Sequence, residues 1–415
     1  MSYEALSTHS LAARLGSLPV MTDRLGNPSG WIVREVGDGN LNLVFIVESR
    51  AGGVIVKQAL PYVRLVGESW PLPLRRSYFE FNALVRQAER DPGSVPEIYH
   101  FDEEQALVVM EYLTSHIILR QGLIEGRRYY ELGKRLGLFC ARTLFGGSDL
   151  SLPASEKKSD LALFAGNVEL CDITENLVFT DPYYEAEMNR HTDGLERIVA
   201  SLRSDRALKI AAQELKMAFT SRGETMLHGD LHTGSVMVSE TDTRVIDPEF
   251  AVYGPMGFDI GMLIANFLMA SLSQPGHGAD RGAYAEWILE EAQIIWNTFA
   301  EEFSRLWRSE RTGILYPASL YEDQGQPEAS ETALSRLLNA IWRDALGFCG
   351  IECHRRILGL AHNADFELIS DERMRASCEA RALALGRDLV LRRDDIADIS
   401  EVQRMARHIA TEEAL

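Results

Sequence analysis

Cysteine, positive charge and long apolar runs are scarce in this chain of 415 residues. The five cysteines are an odd number, and the start at Met1 has neither the basic nor the apolar segment of a secretory leader. Both observations favour reduced thiols in a cytoplasmic protein. No apolar run is long enough to predict a membrane span. The net charge of −19 opposes binding to nucleic acid or to anionic lipid, so we expect neither kind of partner.

The remaining composition is that of a globular protein. Hydrophobic residues make up 46% of the chain and charged residues 25%, and the length suffices for two domains or two lobes. Cys349 and Cys353 stand one helical turn apart on a predicted helix, next to His354. They could belong to a metal site, but no second pair of ligands accompanies them. We therefore interpret them as buried thiols.

Segment 228–259 contains the strongest pattern in the sequence. Short apolar runs on either side of a polar turn predict a β-hairpin over 236–246. Asp230 precedes the first strand and Asp247 follows the second. Glu249 stands two residues after Asp247 and hence on the same face of the chain. The hairpin therefore brings the carboxylates to one of its ends.

Carboxylates in this arrangement suit phosphoryl transfer. One acid can accept or orient the attacking hydroxyl, and a second can hold Mg²⁺ on the phosphates of a nucleotide. The alternative is local, because a lone Asp beside Gly is usually a turn residue or a helix cap. Turn chemistry does not explain the spacing of Asp230 and Asp247 around a hairpin, so we favour the catalytic interpretation.

The same segment carries a resemblance to a known family. Its two runs are Leu227-His-Gly-Asp-Leu-His-Thr-Gly-Ser and Val245-Ile-Asp-Pro-Glu-Phe-Ala-Val-Tyr-Gly-Pro-Met-Gly-Phe-Asp-Ile-Gly. They closely resemble the methylthioribose kinases, part of the aminoglycoside phosphotransferase and choline kinase group, which shares the protein kinase fold. The resemblance extends over most of the chain, through stretches at 37–40, 55–64, 67–70 and 355–362.

This resemblance implies an activity, which is ATP-dependent phosphorylation of the 1-hydroxyl of 5-methylthioribose in methionine salvage. It also implies ATP and Mg²⁺ as cofactors and a homodimer as the assembly. Two alternatives stay open. One is a kinase for another small alcohol, such as an aminoglycoside or a different 5-modified ribose. The other is an inactive regulatory protein that binds nucleotide.

The N-terminal part of the sequence predicts an antiparallel sheet. Strands at 31–36 and 43–48 enclose the glycine-containing loop 37–40, whose backbone N–H groups would suit ATP phosphates, although such a loop is often a plain turn. The third strand carries Lys57 after an apolar run. Lys57 is either a solvated strand end or, as we favour, the cation that neutralises the α and β phosphates.

A helix predicted over 74–91 carries Glu80, the candidate partner of Lys57. A solvated helix face is the plainer interpretation of any one charge on this helix. Two further strands follow and lead to the position where the backbone of a kinase hinge would bond adenine. The residues at that position are Glu111, Tyr112 and Leu113.

Beyond the sheet the predicted elements are mostly helices. The fold class is therefore α+β, with a small antiparallel sheet in a lobe at 1–113 and a larger, mainly helical lobe at 114–415, as in protein kinases. In the second lobe we predict a helix over 183–204 and a loop over 153–159. Asp259 falls in the first turn of a buried helix, where it would bond the backbone of the catalytic loop or cap its own helix.

Arg355 and Arg356 lie on a predicted helix near the end of the chain. Neighbouring residues of a helix point about 100° apart, so we expect one arginine to face the site and the other to face solvent. Taken alone, such a pair is usually a surface feature. It resembles the paired arginines with which the family holds the sugar hydroxyls and the transferring phosphate, and this favours a functional role.

The resemblance, carried over by position, assigns a role to each candidate residue. Asp230 becomes the catalytic base in contact with the substrate, and Asp247 and Glu249 become the metal ligands. Ser235 stands where protein kinases have an asparagine ligand, so the second metal position stays open. The residues implied to bind nucleotide are Asn40, Lys57, Glu111, Tyr112 and Leu113. The residues implied to support the site are Glu80, Ser235 and Asp259.

Overall fold

A computed structural model describes residues 3–37, 41–63 and 67–411. Its strands are β1 Ile32–Val36, β2 Asn42–Ser49, β3 Gly52–Ala59, β4 Tyr62–Val63, β5 Gly67–Pro71, β6 Ile98–Asp102, β7 Leu107–Glu111, β8 Ile117–Ile118, β9 Thr225–Met226, β10 Val236–Val238, β11 Thr243–Val245 and β12 Tyr253–Gly254. Its α-helices are α1 Thr8–Gly16, α2 Pro19–Leu25, α3 Arg76–Arg90, α4 Leu119–Glu125, α5 Leu132–Gly146, α6 Ala154–Phe164, α7 Val168–Leu177, α8 Glu196–Ser204, α9 Arg206–Ser221, α10 Gly257–His277, α11 Gly282–Ser309, α12 Pro327–Leu358, α13 Ala364–Glu367, α14 Glu372–Leu391 and α15 Ile399–Thr411.

Five strands form one antiparallel sheet in the order β1, β2, β3, β7, β6. On β3, Val54 and Val56 are fully buried and alternate with partly exposed neighbours, as the two-residue period of a strand requires. Lys57 therefore points to the opposite face, where α3 packs. Helices α1 and α2 cover the valine face through three buried side chains, which are Leu11, Leu15 and Met21.

Helix α10 forms the centre of the helical lobe. Residues 257–274 are all buried, which is typical of a helix that neighbours enclose on every side. Helices α11, α12 and α14 pack around it. A Cβ on Gly261 would lie 2.5 Å from the carbonyl oxygen of Ala345, so glycine is what allows α12 to approach so closely. This packing fixes α12 against the helix that carries Asp259.

The α+β fold predicted from the sequence is confirmed, because the antiparallel sheet is followed by a mainly helical lobe. The boundary between 1–113 and 114–415 stays a prediction. Cys349 and Cys353 are buried free thiols, as we interpreted them. Over the described parts of the chain, every helix is too short or too polar to cross a lipid bilayer.

The helix predicted over 183–204 is wrong in its first half, since α8 begins only at Glu196. Asn189 Nδ2 donates to two backbone carbonyls, at 2.7 and 3.1 Å, and Gly194 has a φ of 100°. Side-chain bonds to the backbone and a left-handed glycine both compete with helix formation. The apolar spacing of this segment was therefore not sufficient to make a helix.

The loop predicted over 153–159 is also wrong, because α6 begins at Ala154. Pro153 stands directly before the helix, where a fixed φ and a missing N–H are tolerated. Lys157 is buried and donates to the carbonyl oxygen of Gly223 at 2.6 Å, which holds α6 on the helical lobe. The proline marks the start of a helix here and does not interrupt one.

The buried carboxyl of Glu379 gives a test of how α14 is packed in the helical lobe. Burial raises the pKa of Glu379 to about 7, although Thr192 and Arg375 oppose the shift. Its Oε2 has no hydrogen-bond partner among residues 3–37, 41–63 and 67–411. Because the pKa is higher in the folded chain, stability is lost as the pH rises from the ordinary carboxyl value through 7.

We expect Glu379→Gln to raise the melting temperature at pH 8, by removing a cost on the order of 2 kcal/mol. The gain should shrink as the pH falls towards 5, since the carboxyl of the parent protein is then protonated. Melting curves at one scan rate across this pH range measure the effect. Glu301→Gln, at an exposed position of α11, is the matched control and should show no such trend. A pH-independent gain in Glu379→Gln would contradict the assignment.

Candidate active site

Strands β10 and β11 form the predicted hairpin, with Val236 opposite Val245 and Val238 opposite Thr243. Asp230 precedes β10 and Asp247 follows β11. Both residues therefore lie at the same end of the hairpin, as expected from the sequence. This end faces the N-terminal sheet, since Asp247 contacts Lys57 of β3 directly.

Asp259 of α10 holds the loop that carries Asp230. Its Oδ2 accepts a hydrogen bond from the N–H of His228 at 2.6 Å, and its Oδ1 accepts one from the N–H of Gly229 at 3.0 Å. Burial raises the pKa of Asp259, against the effect of His228 and the two N–H donors. His228 Nε2 donates to the carbonyl oxygen of Ile246 at 2.9 Å. Of its two expected roles, Asp259 thus has the first, because it bonds the backbone of the loop that carries Asp230.

Three side chains surround the Asp230 carboxylate. Arg355 and Arg356 donate from Nη2 to Oδ1 at 2.9 and 3.3 Å, and His232 Nε2 lies 3.3 Å from Oδ2. Burial alone would raise the pKa of Asp230, but His232 and the two arginines outweigh burial and hold the pKa well below its ordinary value. Asp230 is therefore ionised at neutral pH.

His232 is neutral at the same pH, because burial lowers its pKa to about 4, although Asp230 opposes the shift. Its Nδ1 accepts a hydrogen bond from the N–H of Gly234 at 2.8 Å. The ring proton is therefore on Nε2, which faces Asp230. The two arginines are consequently the charges that keep Asp230 ionised.

We expected one of the two arginines to face solvent, and this expectation is wrong. Arg355 is only 9% exposed and Arg356 only 6% exposed. Glu352, one turn earlier on α12, accepts from Arg355 Nε at 2.8 Å and from Arg356 Nε at 2.7 Å. This shared carboxylate turns both long side chains to one side of the helix. A helical wheel gives the direction of Cβ but not that of a guanidinium group several bonds further on.

Ser235 belongs to the loop that carries Asp230. Its Oγ accepts from the N–H of His232 at 2.9 Å and lies 2.9 Å from the carbonyl oxygens of both Asp230 and His232. The hydroxyl is thus engaged by the backbone on both sides. At the position where protein kinases have a metal-binding asparagine, this chain has a residue that shapes the loop.

Lys57 lies between two acids from different elements. Its Nζ is 2.8 Å from Glu80 Oε1 on α3 and in direct contact with Asp247. Burial would lower the pKa of Lys57, but Asp247 and Glu80 outweigh burial and raise it. Burial raises the pKa of Glu80 to about 7, although Lys57 opposes the shift. Lys57 is therefore a permanent cation at the entrance of the site.

Glu80, Asp247 and Glu249 form a carboxylate cluster whose oxygens lie within 4.8 Å of one another. Three such oxygens are the donors that Mg²⁺ prefers, so this cluster fits the metal. Asn42 Nδ2 donates to Glu249 Oε2 at 3.0 Å and fixes that carboxylate. Asp247 has a φ of 70°, a left-handed conformation that costs energy in a residue with a side chain. The strained backbone points Asp247 at Lys57.

The hinge candidates, residues 111–113, lie at the end of β7. This strand pairs with β3, and its Val108 lies opposite Lys57. Glu111 ends β7, and its N–H donates to the carbonyl oxygen of Glu97 at 2.8 Å. Tyr112 accepts from Arg34 at its hydroxyl at 2.8 Å, and Leu113 is buried. Asn40 lies outside the described residues.

A cavity of about 430 Å³ opens beside Asp230. Its polar lining includes Asp230, His232 and the three arginines Arg120, Arg355 and Arg356. Its apolar lining includes Leu41, Trp70, Ile173, Leu177 and Phe250, all but Leu177 from one hydrophobic cluster. Leu41 and Phe250 are the chain neighbours of Asn42 and of Glu249, the member of the carboxylate cluster that Asn42 bonds. The cavity and the cluster are thus adjacent.

Sequence reasoning missed several residues of this site. Glu352 left a signal, because a carboxylate three and four positions before two arginines on a helix is placed to bond both. Asn42 left none, since its partner Glu249 is 207 positions away. Arg120 and Asn266 are likewise far in sequence from each other and from their partners His232 and Glu352. Only folding brings these side chains together.

Gly229 provides a test of the loop geometry. Its φ of 87° is left-handed, and a Cβ there would overlap the carbonyl oxygen of Phe250. We expect Gly229→Ala to lower the free energy of unfolding by roughly 3 kcal/mol, from strain plus overlap. Gly325→Ala is the control, because Gly325 has a φ of 71° and a ψ of 28°, a left-handed conformation with open space around it, and should lose only about 1 kcal/mol. Equal losses in thermal or urea unfolding would contradict the close contact.

Comparison with known proteins agrees with this geometry. Residues 32–295 match the family described as "Phosphotransferase enzyme family". Methylthioribose kinase 1 of Oryza sativa subsp. japonica is 43% identical, over 96% of this chain and 94% of that protein. The methylthioribose kinase of Escherichia coli O45:K1 (strain S88 / ExPEC) is 42% identical, over 98% of each chain. That of Geobacillus sp. (strain WCH70) is 42% identical, over 97% and 96%. The chain belongs to the methylthioribose kinases, within the phosphotransferase enzyme family.

Proposed function

We propose that this enzyme transfers the γ-phosphate of ATP to the 1-hydroxyl of 5-methylthioribose, giving 5-methylthioribose 1-phosphate in methionine salvage. The observation that carries the proposal is the position of Asp230, which lines a sugar-sized cavity and lies at the same end of the hairpin as Asp247 of the carboxylate cluster that fits Mg²⁺. The names of the related proteins support the substrate.

The charge of the cavity separates this substrate from an aminoglycoside. Four arginines line it, against two acids, Asp230 and Glu367. These arginines are already paired, Arg190 with Glu367, Arg120 with Asp365, and Arg355 and Arg356 with Asp230 and Glu352. An aminoglycoside carries several ammonium groups, and these would find no unpaired carboxylate among the described residues of the lining. A neutral sugar that becomes a phosphate ester is the better match.

The apolar wall of the cavity suits the substituent at carbon 5. Trp70 is half-buried and packs with Leu41, Ile173 and Phe250 in one cluster. Burying the two heavy atoms of a methylthio group against such a wall would contribute roughly 1 to 2 kcal/mol. A sugar hydroxyl at the same place would lose its hydrogen bonds to water. The wall thus favours 5-methylthioribose over ribose.

Each residue then has one part in the transfer. The ionised Asp230 accepts a hydrogen bond from the 1-hydroxyl and aims its oxygen at the γ-phosphorus. The new O–P bond forms as the bond to the β-phosphate oxygen breaks, and the hydroxyl proton passes through Asp230 to solvent. Because the pKa of Asp230 is low, the carboxylate orients the hydroxyl more than it abstracts the proton. Arg355 and Arg356 stabilise the charge on the transferring phosphoryl group.

The nucleotide side of the site follows the same logic. Mg²⁺, held by Asp247 and Glu249, would neutralise phosphate charge. Lys57 would contact the α and β phosphates, with Glu80 holding it in place. Asn40 and the backbone of 111–113 complete the proposed nucleotide site. The cytoplasmic location and the homodimer belong to the proposal through the family resemblance.

The regulatory alternative would predict a damaged site. Here the proposed metal carboxylates Asp247 and Glu249 lie together with Glu80, which bonds Lys57, the proposed phosphate cation. Arg355 and Arg356 also engage Asp230 directly. No further function is needed to explain these residues.

Replacing Asp230 tests the role of the carboxylate. Asp230→Asn keeps the shape of the side chain but weakens acceptance from the hydroxyl, so we expect kcat to fall by about 10³-fold or more. ATP binding, measured by calorimetry with Mg²⁺, should change by no more than about twofold. Asp193→Asn, at an exposed position, is the control and should retain full turnover. Retained turnover in Asp230→Asn would end the assignment.

A substrate panel tests the choice of sugar. We expect kcat/KM for 5-methylthioribose to exceed that for ribose by about tenfold or more, from burial of the methylthio group. An aminoglycoside should give no ADP release. In Trp70→Ala the ratio between the two sugars should narrow, whereas Tyr130→Ala, which removes an exposed aromatic ring, should leave it unchanged. Activity on the aminoglycoside without activity on 5-methylthioribose would overturn the proposal.

A further inference from the structure

Asp230 stands in a closed ring of hydrogen-bonded side chains, which we name the positioning ring. One half begins at Asp230 Oδ1, which accepts from Arg355 and Arg356 at 2.9 and 3.3 Å. Both arginines donate from Nε to Glu352, at 2.8 and 2.7 Å. Glu352 therefore sets the direction from which the two guanidinium groups reach Asp230.

The other half returns to the same carboxylate by a separate route. Asn266 Nδ2 donates to Glu352 Oε1 at 3.1 Å, and Asn266 Oδ1 accepts from Arg120 Nη2 at 2.9 Å. Arg120 Nη2 lies 3.3 Å from His232 Nδ1, and His232 Nε2 lies 3.3 Å from Asp230 Oδ2. The ring thus fixes one oxygen of Asp230 through α12 and the other through α4 and α10.

Two members of the positioning ring are far from water. Asn266 and Glu352 are each 0% exposed, and neither is among the described residues that line the cavity. Burying this carboxylate would be costly without its two arginines. Arg120 is balanced in turn, since its Nε lies 3.2 Å from Asp365 Oδ2. Among the described residues, the members of the ring itself have no buried polar side-chain atom without a hydrogen-bond partner, whereas both carboxylate oxygens of Asp365 lack one. The ring is therefore rigid, because any change in one member leaves another unpaired.

We propose that Glu352, Asn266 and Arg120 are positioning residues, which act through Arg355, Arg356 and His232 to hold the Asp230 carboxylate at the angle that phosphoryl transfer requires. This inference rests on the proposed function. Displacement of a reacting group by about 1 Å can reduce turnover by two orders of magnitude. Asn266 and Glu352, which do not line the cavity, therefore affect kcat and have little effect on the binding of either substrate.

Asn266 gives the sharpest test, because it joins the two halves without lining the cavity. Asn266→Leu preserves the volume but removes both of its bonds within the ring. We expect kcat for 5-methylthioribose to fall by about 100-fold, with KM for ATP and for the sugar within about threefold of the parent values. Asn266→Ser, which is smaller and still polar, carries the same expectation in the event that Asn266→Leu does not fold.

Gln274→Leu is the matched control. Gln274 is also 0% exposed on α10 and also bonds through its amide, to Ala270 and Arg281, but it lies outside the positioning ring. It should lower the melting temperature by about as much as Asn266→Leu while leaving kcat unchanged. A merely structural Asn266 would behave like Gln274 in both measurements.

A double variant separates a joint action from two independent ones. If Asn266 and Glu352 act through the same carboxylate, Glu352→Gln combined with Asn266→Leu should reduce kcat little further than the worse single variant. Multiplication of the two losses would overturn the proposal, as would a parental kcat in Asn266→Leu or an effect confined to KM. The parent enzyme is the reference, because lack of turnover in the parent would refute the proposed function and not the positioning ring.

Discussion

A negative charge in a half-enclosed position is the constraint on which the rest of this site depends. The Asp230 side chain is 27% exposed, so water can offset only part of the cost of its ionisation. Arg355 and Arg356 offset the rest, but they are themselves buried and need a second anion. Glu352 supplies it, and its own burial requires Asn266. Each buried charged group thus needs a further partner, and this series of contacts leads back to Asp230.

A second charged group, on the nucleotide side, is built differently. Lys57 contacts both Glu80 and Asp247, but the Asp247 side chain is 46% exposed, against 3% for Glu80. An exposed ion pair is worth little and is readily exchanged. In the proposed reaction Lys57 would therefore leave Asp247 for a phosphate while Glu80 continues to hold it. The proposed site thus combines a rigidly held carboxylate, Asp230, with a carboxylate that is exposed, Asp247.

The parts of this arrangement that sequence could predict are those of short range. The hairpin and the approach of Asp230 to Asp247 follow from residues less than twenty positions apart. The pairing of Lys57 with Glu80 follows from one strand and the next helix. The direction of Arg356 was not predicted. Glu352 left a signal four positions before it, but the bond from Asn266 of α10 that fixes Glu352 spans 86 positions. The helix predicted before Glu196 is wrong for a related reason. Asn189 bonds to the backbone there, and apolar spacing gives no sign of such a bond.

The residues proposed for phosphoryl transfer and the residues of the apolar cavity wall also come from different parts of the chain. The groups proposed to act on the phosphate lie beside the hairpin, on β3 and on α12, whereas the apolar cavity wall includes Leu41 and Trp70 from the first part of the chain and Ile173 and Leu177 of α7. None of these four residues lies in segment 228–259. A change of wall could therefore alter which sugar is accepted without disturbing Asp230, provided that the positioning ring remains intact. Because the arginines belong both to the cavity lining and to the ring, the polar side of the cavity has much less freedom to vary than the apolar side.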